Sequence, residues 1–259
     1  MRNEALHIRR ILSELTNQGI DVVVIDNDSS DETVAVCRQY LGKGVLFMDR
    51  VAWAGRFDLS AQLEAKKDVA ARLDHDWLIH IDADEWLQSP NKGETLLDGI
   101  KRVSAQGYNA INFDEFVFLP AGNDEKPCTH YEREMLHYYF FEPFKQRLMR
   151  AWKRSANLSN QASGGHRLAG DELNVSPESF ILRHYIVLSQ QDAWKKYVGR
   201  TYSATDLSKN WHGNRIELTK EQLTLPRPGR LKRLPVWDNK EFDRSDPQLK
   251  HFWEWNDAV

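Results

Sequence analysis

Cysteine is scarce in this sequence: only Cys37 and Cys128 occur among 259 residues. Cys37 falls in a predicted helix and Cys128 in a polar loop, so the chain offers neither a disulfide framework nor a CxxC metal site. Chains without such frameworks are typical of reducing compartments. We therefore expect a cytoplasmic protein.

Long hydrophobic runs are also missing. No stretch reaches the roughly 18 consecutive apolar residues of a membrane-spanning helix. The opening MRNEALHIRR lacks the apolar centre of a secretory signal. The sequence therefore predicts no transmembrane segment, and it leaves open a peripheral contact with the inner face of a membrane.

A strong charge of either sign is absent as well. The formal net charge is -3, with acidic and basic residues spread along the chain. Such a balance predicts no extended basic surface that could bind nucleic acid, so no nucleic-acid partner is expected. The hydrophobic content of 41% is sufficient for the core of an ordinary globular protein.

Strand-like and helix-like segments alternate in the first hundred residues. Apolar residues at helical spacing predict helices near residues 8–15, 59–73 and 96–103, and apolar runs at 20–25, 45–48 and 77–81 predict buried strands. Ser29 and Glu32 have the spacing of a capping box, which predicts another helix after them. This alternation is typical of an α/β fold with a parallel sheet.

The second half has a different pattern. Strand-like runs at 110–119, 144–152 and 180–188 are separated by polar segments, one of them a loop at about 120–134. Mixed strands packed beside a parallel first half are the simplest interpretation. From about residue 217 the sequence becomes basic and proline-containing, then aromatic. We therefore predict a main domain at residues 1–215 and a C-terminal extension at 216–259.

Two acidic segments, DNDSSD and DADE, follow predicted strands directly. Ligands of open α/β sheets bind beyond the carboxyl ends of the strands, where both segments fall. Asp82 and Asp84 form a D-x-D pair, and crowded carboxylates are tolerated most easily around a cation such as Mg²⁺ or Mn²⁺. Solvated loop acids or helix caps explain the same spacing equally well.

Three motifs in order, RNEA, VVVIDNDSSDET and DWLIHIDADEWL, resemble those of family 2 glycosyltransferases with the GT-A fold. The motifs GGHR, ILRHY and NWHG resemble a bacterial subset of that family. The resemblance covers about residues 1–215. It implies a Rossmann-type, mixed but mainly parallel sheet flanked by helices. Family members usually have a strand before the RNE motif, which begins here at the second residue, so we expect that first strand to be lacking.

The resemblance also implies roles for individual residues. Asp84 would bind the divalent cation that bridges the diphosphate, and Asp82 would lie near the ribose and the metal-bound water. A histidine commonly completes the coordination, with His184 the first choice and His166 the second. The nucleotide-binding candidates in the first half are Asn3, Glu4, Asp26, Asn27, Asp28 and Asp31.

Phosphate binding and acceptor activation need further charged residues. Lys145, Arg147, Arg183, Lys196 and Arg200 are candidates to complement the phosphates, and Arg183 and Lys196 are the two we select, although a lone cation is more often a surface charge. An inverting transfer needs a general base, usually a carboxylate. The available acids are Asp114, Glu115, Asp171 and Glu172. We favour Asp171 or Glu172, then Asp114, against the alternative of solvent-exposed turn acids.

The sequence therefore predicts a metal-dependent enzyme that moves a sugar from a UDP- or GDP-linked donor to a sugar, lipid or protein acceptor. Inversion at the anomeric carbon is expected, and a role in surface polysaccharide or glycolipid synthesis fits the resemblance. One alternative is a nucleotidyltransferase, although no glycine-rich, lysine-containing phosphate loop occurs near the start. Another is a degenerate relative that binds carbohydrate or a partner without turnover.

Overall fold

Seven α-helices and nine β-strands form the described part of the chain, residues 1–121 and 127–255, in a computed structural model. The predicted loop at 120–134 and the predicted extension at 216–259 lie partly outside the described residues, at 122–126 and 256–259. The helices are α1 (Ala5–Asn17), α2 (Thr33–Arg38), α3 (Leu59–Arg72), α4 (Leu96–Ala105), α5 (Tyr131–Glu134), α6 (Gln190–Tyr197) and α7 (Ala204–Ser208). The strands are β1 (Val22–Asp26), β2 (Val45–Arg50), β3 (Trp77–Ile79), β4 (Glu85–Gln88), β5 (Ala110–Leu119), β6 (His137–Phe141), β7 (Met149–Lys153), β8 (Phe180–His184) and β9 (Lys232–Arg233).

The first half begins with the predicted helix, strand, helix and strand. Helix α1 buries Ile8, Ile11, Leu12 and Leu15, the residues whose spacing predicted it. Strands β1 and β2 then pair in parallel as a separate two-stranded sheet. No strand precedes α1 within the described residues.

The capping box predicted at the start of α2 is wrong. Glu32 is the N-cap and makes no side-chain capping bond. Ser29 Oγ instead accepts a hydrogen bond from the backbone N–H of Asn3, at 2.9 Å. Asp31 accepts from Thr33 N at 3.0 Å and so satisfies the helix start. The local spacing assigned the Ser29 hydroxyl to capping α2, but that hydroxyl is bonded by Asn3, which is distant in sequence and close in the fold.

The remaining seven strands form one mixed sheet. Its order is β3-β7-β5-β6-β9, with β8 lying between β4 and β5. Helices flank it, so the predicted α/β class with a mixed sheet is confirmed. Parallel pairing, however, is confined to β1–β2 and β5–β8, and the other five described pairs are antiparallel. The expectation of mainly parallel pairing is corrected on this point.

Three strands were not predicted, β4, β6 and the two-residue β9, and all three pair antiparallel with a neighbour. Strand β4 begins at Glu85, inside the acidic segment, so its composition is typical of a loop rather than a strand. Its charge is neutralised by Arg150, which lies 65 residues further along the chain. Strand β6 lies directly before the predicted run at 144–152, which forms a strand only from Met149 onward. Strand β5 has the predicted bounds.

The C-terminal segment packs against the main sheet. Leu218, Leu223 and Trp253 share a hydrophobic cluster with Val117 of β5 and Tyr139 of β6, and β9 pairs with β6. The division at residue 215 stays a prediction from sequence, and residues on both sides of it contribute to this cluster. None of the helices in residues 1–121 and 127–255 has the length and apolarity required to cross a bilayer.

An apolar cleft of about 990 Å³ separates the two sheets. It is lined by β1 on one side and β3 on the other, and residues of α1, α3 and α4 form the remaining walls. Its walls are mostly apolar side chains, among them the buried Ile8, Leu12 and Leu63.

Candidate active site

The turn between β3 and β4 carries Asp84 into the interior. Its backbone carbonyl accepts from Tyr185 N at 2.8 Å, which fixes the turn against the end of β8. Its side-chain Oδ2 accepts from the Lys196 ammonium at 2.7 Å and lies 3.5 Å from His184 Nε2. Burial would raise the pKa of this carboxyl, but Lys196 and His184 hold it well below its ordinary value. Asp84 is therefore a buried carboxylate that stays ionised.

His184 is oriented by a second carboxylate. Its Nδ1 lies 2.7 Å from Glu115 Oε1, and Arg147 binds the other oxygen of Glu115. The arrangement follows from β5 and β8 being neighbours in the sheet, which brings the two side chains together. A proton on Nδ1 donates to Glu115, which orients the ring so that Nε2 faces Asp84 Oδ2. Glu115 was one of the acids weighed from the sequence, but this contact was not anticipated.

Asp82 lies in a second group of charges. Its carboxylate is 51% exposed and lies 3.5 Å from Lys66 and 3.4 Å from Arg150. Arg150 also binds the buried Glu85, and Glu85 in turn accepts from Asp82 N at 3.0 Å. Lys66 of α3 and Arg150 of β7 thus balance the negative charge of Asp82. The exposed side of the Asp82 carboxylate remains accessible to a ligand.

Glu4 lies close to the Asp84 group. Its N–H donates to Thr33 Oγ1 at 2.8 Å, which holds the start of α1 against α2. Burial raises the pKa of its carboxyl to about 8, with the neighbouring Lys196 acting in the opposite direction and Asp84 adding to the rise. At neutral pH Glu4 therefore keeps its proton for most of the time.

Asp26 ends β1 with one oxygen bonded and one free. Its Oδ2 accepts from Ser29 N at 3.0 Å, whereas the buried Oδ1 has no hydrogen-bond partner among the described residues. Buried acceptors are normally satisfied. Asp26 is consequently the residue of the first acidic segment with unused capacity to bind a ligand.

The other candidates in the first acidic segment bind local backbone. Asn27 donates to Val51 O and Ala52 O at 2.8 and 3.2 Å. Asp28 accepts from Trp53 N at 2.8 Å and forms an ion pair with Arg50. Two further residues act in the same way: Asp31 accepts from Thr33 N and Ala5 N, and Asn3 accepts from Ser30 N.

Arg183 is fully buried on the side of β8 opposite to its neighbour His184. Its guanidinium donates to Gln88 Oε1 and Asn239 O, both at 2.8 Å, and to Trp237 O. These bonds fasten the C-terminal segment to β4 and β8. The expectation that Arg183 contacts a phosphate does not fit this position, because its guanidinium is fully buried and bonded to the C-terminal segment.

His166, Asp171 and Glu172 are not brought to Asp84 by any described contact. The Nδ1 of His166 lies 3.4 Å from Arg147, and burial together with that arginine keeps the histidine pKa well below its usual value. Asp171 and Glu172 occupy an exposed turn, where the carbonyl of Glu172 accepts from Asn109 at 2.6 Å. An exposed turn gives a catalytic base no fixed position.

Asp114 pairs with Arg244 at 2.7 Å. It is adjacent to Glu115 on β5, and adjacent side chains of a strand point to opposite faces, so Asp114 lies on the face that carries Arg183, away from His184. The expectation that Asp114 is the catalytic base does not fit this position. Glu142 lines a small crevice with residues 112–115 and Arg147, and burial followed by the charge of Asp114 raises the pKa of Glu142.

The donor set suits a metal ion shared with a ligand. Among residues 1–121 and 127–255, no three histidine, cysteine or acidic side chains are arranged to hold an ion by themselves. Asp84 Oδ2 and His184 Nε2 nevertheless face each other at 3.5 Å. Mg²⁺ and similar ions usually take only one or two protein ligands and complete their shell with water and phosphate. The pair fits that arrangement.

Comparison with known proteins gives a consistent assignment. A family model described as "Glycosyl transferase family 2" matches residues 1–152. An uncharacterized glycosyltransferase of Rickettsia felis is 31% identical over 129 residues, which cover 49% of this chain and 40% of the relative. One from Rickettsia conorii is 28% identical with the same coverage. The chain thus spans less than half the length of these relatives.

Solved structures of lower similarity also match. S. aureus TarS is 11% identical with a TM-score of 0.44, covering 86% of this chain and 40% of that one. S. aureus TarS 1-349 in complex with UDP-GlcNAc is 11% identical with a TM-score of 0.41, covering 86% of this chain and 76% of that one.

Proposed function

Because the chain belongs to glycosyl transferase family 2, we propose that it transfers a sugar from a nucleoside-diphosphate sugar to an acceptor hydroxyl with the help of a divalent cation. The observation that carries this proposal is the convergence of Asp84, His184 and Lys196 at the turn after β3. An ionised carboxylate, an imidazole lone pair and an ammonium group are suited to a diphosphate and its counter-ion.

Stabilisation of the leaving group is assigned to this cluster. Asp84 and His184 are the residues that would hold Mn²⁺ or Mg²⁺, and such an ion would supply positive charge for the diphosphate leaving group. Lys196, whose ammonium already lies 2.7 Å from Asp84, contributes a fixed positive charge on the same side. Glu115 is a positioning residue, because it sets the tautomer of His184 without touching the donor.

The nucleoside is assigned to the ends of β1 and β3. The free Oδ1 of Asp26 accepts from a ring N–H, which both uracil and guanine present, so the UDP- and GDP-linked donors both remain in the proposal. Asp82, half exposed beside Lys66, faces the ribose. The hydrogen bonds that Asn27, Asp28 and Asp31 make to nearby backbone stabilise the conformation of this end of the sheet.

A transfer that inverts the anomeric carbon needs a carboxylate that takes the proton of the attacking hydroxyl. Asp114 lies on the face of β5 opposite to Glu115 and His184, so this role is not assigned to it. The acceptor is a sugar, lipid or protein hydroxyl. We propose a role at the cytoplasmic face of the membrane in the assembly of a surface polysaccharide or glycolipid.

A panel of UDP- and GDP-sugars, each with and without Mn²⁺, tests the proposal by release of free UDP or GDP. The Asp84→Ala variant should lose metal-dependent release, whereas the control Asp74→Asn, at a 99% exposed side chain, should retain it. Equal turnover by both variants would contradict the assignment. Release of pyrophosphate from a nucleoside triphosphate would indicate a nucleotidyltransferase, and binding of sugar without nucleotide affinity would indicate a non-catalytic relative.

A further inference from the structure

Arg215 is a half-buried arginine without a counter-ion. Its guanidinium carbon lies 5.4 Å from the ring centre of Trp253 and 5.8 Å from that of Tyr197. Within residues 1–121 and 127–255 its side chain forms no ion pair and donates no hydrogen bond, and its Nε is buried. Taking a charge out of water costs free energy that a partner ordinarily offsets. Arg215 therefore has unused capacity to bind an anion.

A second arginine, Arg147, lies close to Arg215. Its side chain is only 11% exposed, and it binds one oxygen of Glu115. The other oxygen of Glu115 is already bonded to His184. Burial lowers the pKa of Arg147 to about 9, and the nearby charge of Arg215 acts in the same direction. The two arginines are thus near enough to repel each other, and a single shared carboxylate is the negative charge between them and His184.

A stack of rings supports both arginines. His251 stacks on Phe141 with ring centres 3.9 Å apart and on Trp253 with ring centres 4.5 Å apart. Arg147 lies 4.8 Å from the ring centre of Phe141, and Arg215 lies over the ring of Trp253. Each guanidinium is therefore held in place by an aromatic face of the chain rather than extended into solvent.

His166 joins this group without adding a charge. Its Nδ1 lies 3.4 Å from a terminal nitrogen of Arg147. Burial, followed by the charges of Arg147, Arg150 and Arg215, keeps the pKa of His166 well below its usual value, so the ring is neutral at neutral pH. A neutral imidazole that accepts at Nδ1 carries its proton on Nε2. The group thus offers an imidazole N–H donor in addition to the guanidinium donors.

This group is separate from the Asp84 site. After burial, the largest influences on the pKa of the Asp84 carboxyl are the charges of Lys196 and His184. Glu115 lies between the two groups, because one of its oxygens faces His184 and the other binds Arg147. A diphosphate bound at Asp84 is therefore on the far side of this carboxylate from the two arginines, which remain able to bind a second anion.

We propose that Arg147, Arg215 and His166 form an oxyanion site for a phosphate group carried by the acceptor. This inference rests on the proposed function, and it narrows the acceptor to a phosphorylated lipid or saccharide. A guanidinium presents parallel N–H donors that match the oxygens of a phosphate. The single Glu115 carboxylate leaves positive charge of the arginines unbalanced, and the phosphate neutralises it.

Calorimetric titration with inorganic phosphate, in the absence of a metal ion, tests the site directly. Arg215→Gln should weaken phosphate binding by about tenfold or more, because it removes a charged donor. Arg227→Gln, at an exposed arginine of the C-terminal segment, is the matched control and should leave the affinity unchanged. Acetate, with a single charge, should bind the wild type about tenfold more weakly than phosphate. Equal phosphate affinity in all three proteins, or equal affinity for acetate, would overturn the proposal.

A second titration separates a phosphate of the acceptor from the diphosphate of the donor. With UDP and Mg²⁺ at saturation, the wild type should bind inorganic phosphate with unchanged affinity. Competition between UDP and phosphate would assign the arginines to the donor and would refute an acceptor site. If the wild type binds no UDP, the proposed function fails, whereas phosphate binding that depends on Arg215 still supports the anion site.

A spectroscopic measurement on the wild type replaces the variant if Arg215→Gln fails to fold. The indole N–H groups of Trp253 and Trp86 are both buried without a hydrogen-bond partner among the described residues. Trp253 lies beside Arg215, whereas Trp86 packs beside Arg183. Phosphate should shift the NMR signal of the Trp253 indole and leave that of Trp86 in place. An unmoved Trp253 signal, or equal shifts of both, would count decisively against the site.

Discussion

The two acidic segments, residues 26–31 and 82–85, are both rich in carboxylates and both follow a strand, yet their carboxylates have different partners. Asp28 and Asp31 of the first accept hydrogen bonds from backbone N–H groups of Trp53 and Thr33. Asp84 of the second is bound by a side chain 112 residues away. The carboxylates of the first segment therefore stabilise the local backbone, whereas those of the second form ion pairs with side chains from several elements.

This difference separates structural acids from those suited to bind a ligand. A carboxylate that accepts backbone N–H groups has little remaining capacity and acts as a cap. A carboxylate held by cationic side chains can exchange one of them for a metal ion or a phosphate-bound ion. Asp26 is the exception in the first segment, because one of its oxygens is buried and unpartnered.

The largest expected effect is at Asp84. Asp84→Asn keeps the size of the side chain but removes the charge that faces Lys196 and His184, so metal-dependent turnover should fall by about 10²–10³-fold. Steady-state release of UDP or GDP at saturating Mn²⁺ measures it. Asp31→Asn is the matched change in the first segment and should keep turnover within about threefold. An equal loss in both variants would remove the distinction between the segments.

A smaller effect is expected at Glu115, which contacts His184 rather than the donor. Glu115→Gln should weaken Mn²⁺ by about 10–100-fold, because the tautomer of His184 is no longer fixed by a charge. Titration of activity with Mn²⁺ should show a shift in the metal requirement with less change in the rate at saturation. Glu142→Gln, in the same crevice, serves as the control. A loss of rate without any shift would argue for direct contact with the reacting groups.

The structural role of the first segment predicts a stability effect. Asp31→Ala removes the acceptor for Thr33 N and Ala5 N. The free energy of unfolding should fall by about 1 kcal/mol, as for the loss of a helix cap. Urea unfolding followed by circular dichroism measures this change. Asp84→Ala should not lower stability through this route, since its partners are side chains.

A pH dependence of stability is expected from Glu4. Burial raises its pKa to about 8 in the folded protein, from 4.5. A raised carboxyl pKa means that the folded state binds the proton more tightly, so this contribution is present at acidic pH and is lost as pH rises towards 8. The stability of the wild type should fall relative to Glu4→Gln between pH 5 and pH 8, as measured by urea midpoints. If the urea midpoints of the wild type and of Glu4→Gln change with pH in parallel, the Glu4 carboxyl is in solvent and its pKa is not raised by burial.

Local patterns were sufficient for much of the fold. The periodicity of Ile8 to Leu15 placed α1, and the run from Ala110 to Leu119 gave β5 with its observed ends. Strand β4 was missed because its first residue is Glu85, whose charge is compatible with a strand only beside Arg150. A single-sequence pattern contains no information on such a distant partner.

The candidate site was predictable to a similar extent. The D-x-D segment and His184 were selected as ligands, and the structure places Asp84 and His184 side by side. Arg183, one position earlier, was selected for the same reason but faces the opposite side of β8 and binds the C-terminal segment. The contact between Glu115 and His184 depends on the pairing of β5 with β8, which the sequence did not reveal.

The sequence by itself determined the alternation of helices and strands, the positions of both acidic segments at strand ends and the family to which the chain belongs. These features depend on residues a few positions apart, where backbone geometry links spacing to direction. Only the tertiary structure decided which carboxylate faces a cation, which histidine faces a carboxylate, and that β1 and β3 border an apolar cleft. Those outcomes depend on side chains that are tens of residues apart in sequence, and only packing of the sheet and helices brings them within a few ångströms.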